Sequence, residues 1–555
     1  MAKKKYDVIV VGTGAGGGMA MKTLCEAGLQ VLALNSGANA DPVKDFKSHT
    51  LPYDLPFRGR LSPDKRKDRY PCERETTTQH WEHEIDYVVA PGSRWRWPRA
   101  SVVGGKANFW GRSSPRFADI DFNAASIDGF DVDWPITTEE IAPYYSRVER
   151  MIGVASTAQN RPSNPDGDYL SPIPFRCLDY ILQRGASEIG VPYLPDRIAQ
   201  LTTSIDGRMP CHYCGGCTSG CDTGSFFSPL WFTIPAAAKT GNLALRTSAL
   251  VREVLVDKKT GRARGVAYVD RETRQEVEVE AKAVVLAASC CETAKIMLNS
   301  KSRQWPSGIA NSSGELGRNL SDHLYGQPAA GYLPQLLGQP SQPDNVSHST
   351  VAWMPRWQNL RDPHEEKFIR GYSVYPGGGC SQFPSYYSRF EGFGSSFKRE
   401  VKRHYPTPIS FLIQAPSLPS PSNYLDIDPH VTDAYGIPAA RFHFEWGENE
   451  LLMWEHAKEV CAELLRKAGG EVWVNGKDPS PPGTSLHETG PCRFGNDAKR
   501  FVTNSHCQTH DVDNLFVCDA SVFPFATDKT STLSILAFTM RTSDYMIDLF
   551  KRNEL

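Results

Sequence analysis

The chain opens on an apolar, β-branched run, Tyr6–Val11, then a glycine turn, then a stretch rich in good helix formers. An apolar run without polar alternation predicts a strand covered on both faces, as in a parallel sheet. Met19–Ala27 predicts a helix stopped by Gly28, and Gln30–Leu34 a second strand. Thr137 and Glu140 have capping-box spacing and open a helix to about Met151. Leu243–Val279 holds alternating β-rich segments around the turn Lys258-Lys259-Thr260-Gly261. Ala283–Ala288 is another buried strand, running through Ser289-Cys290-Cys291 into a helix over Glu292–Leu298. Ile409–Gln414 and Ala440–Trp446 read as strands, and Asn449–Ala468 as a long helix ending at Gly469-Gly470. Asp511–Asp519 is a turn and buried strand that leads through Thr530-Ser531-Thr532 into a helix reaching Ile547. No repeat or low-complexity tract interrupts this order.

Length and composition narrow the classes. At 555 residues, two or more domains are expected. A net charge of −2 gives no field to steer the chain to nucleic acid or an acidic membrane surface. Mean hydropathy is −0.41, and no apolar run approaches the ~20 residues that span a bilayer. Tyr6–Val11 is too short for a signal core, so the chain is expected to lack an export signal of its own. It then stays in the cytoplasm or leaves folded with a signal-bearing partner. The 12 Trp and 21 Tyr suit sugar faces as well as cores. Trp95 and Trp97 are open to both uses. The basic cluster Lys65–Arg69 reads as a solvated excursion.

The candidate chemistry is concentrated in a few stretches. Gly12-Thr13-Gly14-Ala15-Gly16-Gly17 is G-x-G-x-x-G between strand and helix. Gly12 permits the tight turn, Gly14 the approach of a pyrophosphate, and Gly17 close helix–strand packing. The second strand ends on Asn35, where a dinucleotide fold usually has a carboxylate for the ribose; its amide can keep that contact, weakened. Gly104-Gly105 before Asn108-Phe109-Trp110 suggests close approach to a flat ligand. Cys211, Cys214, Cys217 and Cys221 have the spacing C-x2-C-x2-C-x3-C within a glycine-rich loop. That is iron–sulfur spacing. Structural zinc, which prefers two separated knuckles, and short strained disulfides are its rivals. The 14 Cys otherwise scatter, which argues against a disulfide framework. Cys290 and Cys291 read as buried small residues, and His323 as structural. Small hydroxyl residues at the start of the last helix suit a phosphate or flavin edge.

Together these stretches resemble the glucose–methanol–choline (GMC) flavoprotein oxidoreductases over nearly the whole chain. The first glycine turn, GGKANFWGRS, GRNLSDH, HETGPCRFG and DAS…TSTLSILA stand in that family's order. The resemblance implies an α/β fold: a Rossmann-type FAD-binding domain of residues 1–45, 95–130, 205–330 and 481–555, carrying the 211–221 loop. An inserted α+β substrate-binding domain with an antiparallel sheet then takes 131–204 and 331–480. It implies FAD at Gly12, Gly14, Gly17, Asn35, Gly105, Asn108, Asp519, Ser521 and Thr532. His487 stands where the family places its base, and Thr530 where it usually has Asn or His. The cysteine loop is similar to that of bacterial sugar dehydrogenases with an iron–sulfur cluster, glucoside 3-dehydrogenases most of all. Some of these carry a three-iron cluster on three cysteines, a spacing that Cys211, Cys217 and Cys221 match, with Cys214 extra. A 3Fe-4S and a 4Fe-4S cluster are both compatible.

The activity so implied is oxidation of a ring hydroxyl of a sugar or glycoside at C3. Electrons would leave through the cluster to a cytochrome c or quinone-linked acceptor. A small export or chaperone subunit and a periplasmic location are implied likewise. An oxygen-using oxidase, another alcohol dehydrogenase, and an impaired FAD-binding subunit serving as scaffold or electron conduit are the alternatives. Asn35 and Thr530 motivate the last.

Overall fold

The computed structural model describes residues 6–47, 49–50, 52–55, 57, 62, 77–340, 351–378, 390–476 and 478–555. Met1–Lys5 and the Lys65–Arg69 cluster lie outside the described residues. Strand β1 (Tyr6–Val11), helix α1 (Ala15–Glu26) and strand β2 (Val31–Leu34) form the predicted opening unit. β1 pairs in parallel with β2 on one side and with Glu276–Leu286 on the other, Val8 standing opposite both Val31 and Ala283. Leu243–Arg246 extends the sheet beyond β2, and Leu515–Val517 lies along Glu276–Leu286, both parallel.

The strand predicted at Ala283–Ala288 is the second half of the longer Glu276–Leu286. Its first half, Glu-Val-Glu-Val-Glu, alternates and is half-exposed; there it pairs antiparallel with Ala263–Asp270, the near arm of a hairpin completed by Ala249–Val256. Its second half, Ala-Val-Val-Leu, is buried and runs parallel between two neighbours. The switch in polarity marks the switch in partner.

A second sheet is antiparallel, in the order Ser373–Gly378, Pro408–Ala415, Ala329–Tyr332, Glu471–Asn475, with Leu324–Gly326 added to Pro408–Ala415. Helix Glu448–Lys467 covers it, burying Met453, Trp454, Ala457, Cys461, Leu464 and Leu465 at three- and four-residue intervals. A small third sheet joins Tyr424–Thr432 and Pro438–His443 to Tyr87–Val89.

The stretch 131–204 is divided between cores. Helix Thr138–Ile152, with its capping box formed, buries Ile141, Tyr145, Val148 and Ile152 in the same core as β1 and packs on the C-terminal helix Thr532–Lys551. Helix Cys177–Glu188 packs on Glu448–Lys467 instead. Trp95 and Trp97 are core residues: Trp95 stacks on Phe442 with ring centroids 4.9 Å apart, and neither is more than 5% exposed. Among the described residues no helix is long and apolar enough to cross a membrane.

Candidate active site

A cavity of about 790 Å3 runs from the first glycine turn to the C-terminal loops. Gly12, Gly14, Asn35, Gly105, His487, Asp519, Thr530 and Thr532 line it. Gly17, Asn108, Ser521 and the four loop cysteines do not. At its narrow end the wall is glycine. Gly12 has φ +94°, and a Cβ there would lie 2.2 Å from the Ala287 carbonyl oxygen. A Cβ on Gly17 would lie 2.0 Å from the Gly12 oxygen, so Gly17 lets α1 rest on the turn. A Cβ on Gly14 would meet only the Gly104 oxygen at 3.9 Å, so the space beside it is open. α1 starts there with no side-chain cap and no acidic residue in its first turn, leaving its N–H groups for an anion.

Thr13 and Asn35 join this turn to the next motif. Thr13 Oγ1 donates to Asn35 Oδ1 (2.7 Å) and accepts from the Gly104 amide (2.9 Å). Asn35 Nδ2 donates to the carbonyls of Gly37 (3.0 Å) and Ser101 (2.8 Å). Both amide protons are therefore committed to the protein, and only Oδ1 keeps a lone pair for a ligand. A carboxylate at 35 would face two carbonyls with no proton to offer, which accounts for Asn at this position. Asn108 is fully buried; it donates to the Val103 carbonyl (2.9 Å), accepts from Ser228 (2.6 Å) and fixes the Gly104-Gly105 turn from behind. Asp519 Oδ1 accepts from the Ser521 amide (3.0 Å) and hydroxyl (2.6 Å), and Oδ2 accepts from Thr293 (2.5 Å). Ser521 thus acts through Asp519.

At the other end, GRNLSDH and HETGPCRFG are paired. The Ser321 and Thr489 amides exchange hydrogen bonds with each other's carbonyls at 3.0 and 2.8 Å. Asp322, fully buried, accepts from the Gly483 amide (2.7 Å) and the Ser485 hydroxyl, and holds the loop that carries His487. Burial, then the nearby Glu488, pushes its carboxyl up to about 7. Lys106 donates to Glu488 (3.1 Å) and to the Leu486 carbonyl (3.4 Å).

His323 and His487, 164 residues apart, face each other with Nδ1···Nδ1 at 2.8 Å. The other ring nitrogen of His323, Nε2, lies 2.6 Å from the Thr527 carbonyl oxygen, which can only accept. His323 Nε2 therefore carries its proton and, the ring being neutral, its Nδ1 is a bare acceptor. His487 must donate from Nδ1, which leaves its Nε2 as a lone pair. Burial pushes His323 down to about 4. Burial, then the neighbouring His323 ring and the Lys106 ammonium, holds His487 well below the ordinary imidazole range. The structural role read for His323 is thus a specific one: it sets the tautomer of His487.

Near Thr530 lies a residue for which no local pattern in the chain offered a signal. Thr530 donates to the Ser113 carbonyl (2.7 Å), so its oxygen is left to accept only. Ser113 donates from its hydroxyl to Asp196 Oδ1 (3.0 Å). Asp196 lines the cavity, is 3% exposed, and its Oδ2 has no partner among the described residues. Burial pushes its carboxyl up to about 7. Three non-glycine residues of the cavity wall, Arg112, Ser289 and Leu486, hold φ of +68°, +86° and +67°. Left-handed backbone at such residues costs of order 1–3 kcal/mol each and clusters at functional sites. Cys290 lines the cavity and Cys291 lies behind it; burial raises both thiols, which suits inert packing.

The four loop cysteines are free thiols: Cys217 buried, Cys211 and Cys221 half-buried, Cys214 exposed. Tyr213, Gly215 and Gly220 take φ of +60°, +72° and +86° and curl the loop. A Cβ on Gly220 would lie 2.5 Å from the Phe46 ring. Phe46 in turn meets Phe109, a wall residue of the cavity, edge-to-face with centroids 5.6 Å apart. Two aromatic rings in series, Phe46 and Phe109, thus lie between Gly220 and the cavity.

A parallel sheet that opens through a glycine turn onto an uncapped helix start, with a large cavity over it, is the architecture of a nucleotide-cofactor-binding domain. Residues 6–325 match the N-terminal and 419–539 the C-terminal domain model of GMC oxidoreductases, and the chain belongs to that family. It is 28% identical to 2-methyl-1,2-propanediol dehydrogenase of Mycolicibacterium austroafricanum over 97% of this chain and 95% of that one. It is 24% identical to the fructose dehydrogenase large subunit of Gluconobacter japonicus, covering 98% of each. A C-glycoside 3-oxidase of Arthrobacter globiformis is 28% identical over 53% of this chain and 51% of its own. Formate oxidase of Aspergillus oryzae superposes with a TM-score of 0.65 at 15% identity, covering all of both chains. The protein is an FAD-dependent oxidoreductase acting on CH–OH donors. The open space at Gly14, the uncapped start of α1 and the volume of the cavity fit that cofactor. Four free thiols on one curled loop, with the Tyr213 amide 3.3 Å from Cys211 Sγ, fit an iron–sulfur cluster as a donor set.

Proposed function

We propose that this chain oxidises a ring hydroxyl of a sugar or glycoside, at C3, and passes the electrons outward through an iron–sulfur cluster held by the 211–221 loop. The His323–His487 pair carries the first part: it supports an unprotonated imidazole nitrogen at the wall of the FAD cavity. FAD, when bound, supplies the hydride acceptor. The substrate hydroxyl gives its proton to His487 Nε2, while Nδ1–H stays on His323 and keeps the ring oriented. Thr530 Oγ1 accepts from the same or a neighbouring hydroxyl. Asp196, Gln327, Tyr375, Ser410 and Gln414 all line the cavity, and this polar lining suits a polyhydroxylated donor. The C-glycoside 3-oxidase relative favours C3.

Cys211, Cys217 and Cys221 would hold the cluster, with Cys214 the fourth thiol of the loop; a cluster there would supply single-electron transfer toward a cytochrome c or quinone-linked acceptor. Such an acceptor, and a small export subunit that would take the folded chain to the periplasm, complete the reading. The test is anaerobic: a panel of glycosides and free sugars is mixed with purified protein, and flavin bleaching and dye reduction are followed. A glycoside that bleaches the flavin and drives dye reduction is expected, and a nuclear magnetic resonance spectrum of the product locates the ketone. Failure of every glycoside, with bleaching by a simple diol, would refute the sugar reading. The oxidases among the relatives support a second reading, direct reaction with oxygen. Peroxide equal to donor consumed would establish it.

A further inference from the structure

Among the described residues, one group of side chains lies close enough to share a metal ion, and it is outside the cavity: His49, His212 and Cys214, whose ligand atoms all fall within 4.8 Å of one another. The three are exposed and come from two distant segments. His49 follows the stretch that carries Phe46, while His212 and Cys214 sit in the cysteine loop. His49 Nε2 and His212 Nε2 are 2.5 Å apart. Their rings are nearly coplanar, at 12°, with centroids 4.7 Å apart, so the two nitrogens meet edge to edge. The opposite nitrogen of His49, Nδ1, is 2.5 Å from an Asp222 carboxylate oxygen. The carboxylate can only accept, so Nδ1 carries the proton and His49 Nε2 is a lone pair.

We propose that His49, His212 and Cys214 bind one divalent transition-metal ion, zinc being the best match, with Asp222 orienting His49. Two imidazole nitrogens and a thiolate are a zinc donor set, with water completing the tetrahedron. A carboxylate on the far nitrogen of a ligating imidazole is the usual outer support of such a ligand. With Zn–N of about 2.0–2.1 Å, two nitrogens on a tetrahedral ion stand roughly 3.3 Å apart. Opening the pair by less than ~1 Å and tilting the rings admits the ion, a small shift for two exposed side chains. Cys214 binds as thiolate and releases its proton to solvent. The ion would staple the segment bearing Phe46 to the loop that Phe46 supports. It would also assign Cys214 a partner other than the cluster and leave Cys211, Cys217 and Cys221 for iron.

The test uses the full chain with its native cofactors. Zinc and iron per chain are measured after incubation with zinc chloride and dialysis, for wild type, His49→Ala, His212→Ala, Cys214→Ser and Cys217→Ala. About one zinc per chain is expected in wild type and in Cys217→Ala, and none in the other three, which keep their iron. X-ray absorption at the zinc edge should show two nitrogens and one sulfur. Zinc retained equally by His49→Ala and His212→Ala, zinc with four sulfur neighbours, or no zinc bound by wild type would overturn the proposal. So would loss of iron on Cys214→Ser. A chain without iron in any variant would refute the cluster reading and leave the zinc result readable.

Discussion

Replacing His323 with Leu removes the acceptor for His487 Nδ1–H and leaves the Thr527 carbonyl without its donor. The side chain is 1% exposed, so no solvent replaces either bond. One buried neutral hydrogen bond contributes about 1–1.5 kcal/mol, and that is the free energy holding His487 in the tautomer with Nε2 bare. Losing it should lower the rate of flavin reduction about five- to tenfold. The orphaned carbonyl costs about 1–3 kcal/mol of stability. Removing the base itself, His487→Ala, should cost at least about a hundredfold. Because His323 acts through His487, the double variant should be no slower than His487→Ala alone. His323→Gln, which can accept at one atom and donate at another, should restore most of the rate. The assay is anaerobic stopped-flow bleaching of the flavin, on samples whose spectra show equal FAD loading. A His323→Leu loss as large as that of His487→Ala, or additive losses in the double variant, would refute the tautomer argument.

Four further outcomes follow from the same geometry. A base held well below pH 6.5 is neutral, and so competent, above that value; the acid limb of kcat/KM should lie below pH 6.5, and half-activity at or above it would count against His487. Asp196, raised to about 7, is charged only above that pH, so KM should rise as pH falls through 7; Asp196→Asn should raise KM about ten- to a hundredfold, remove that dependence and leave kcat nearly unchanged, by the ~1.5–3 kcal/mol of a charged hydrogen bond. Asn35→Asp should lower stability by about 2–4 kcal/mol, because two carbonyls lose their donors, and thermal unfolding of the FAD-loaded protein measures it. Cys217→Ala should abolish the electron-spin signal of the cluster and dye turnover, while a single anaerobic donor pulse still bleaches the flavin.

How far the sequence reaches can be read element by element. The opening strand–turn–helix–strand was legible because its apolar runs and glycines are local signals. So was the capping box at Thr137 and Glu140, whose partners are three residues apart. The pairing of His323 with His487 was not, since it depends on a bridge between Ser321 and Thr489 that no local pattern encodes. Asp196 escaped for the same reason: an aspartate in a loop becomes an unpartnered carboxylate only once the cavity closes around it. Asn35 was legible as a departure from the dinucleotide pattern, but its cause required seeing the Gly37 and Ser101 carbonyls.

The walls of the cavity come from segments far apart in the sequence, from Val11 to Ile535, and α1 lies against Thr532–Lys551. The phosphate turn is thus built more than 500 residues before the helix that completes the wall beside it. A variant lacking that helix would keep the phosphate turn but lose Thr532 and Ile535 from the wall, and should hold the nucleotide weakly however well its first sheet has folded.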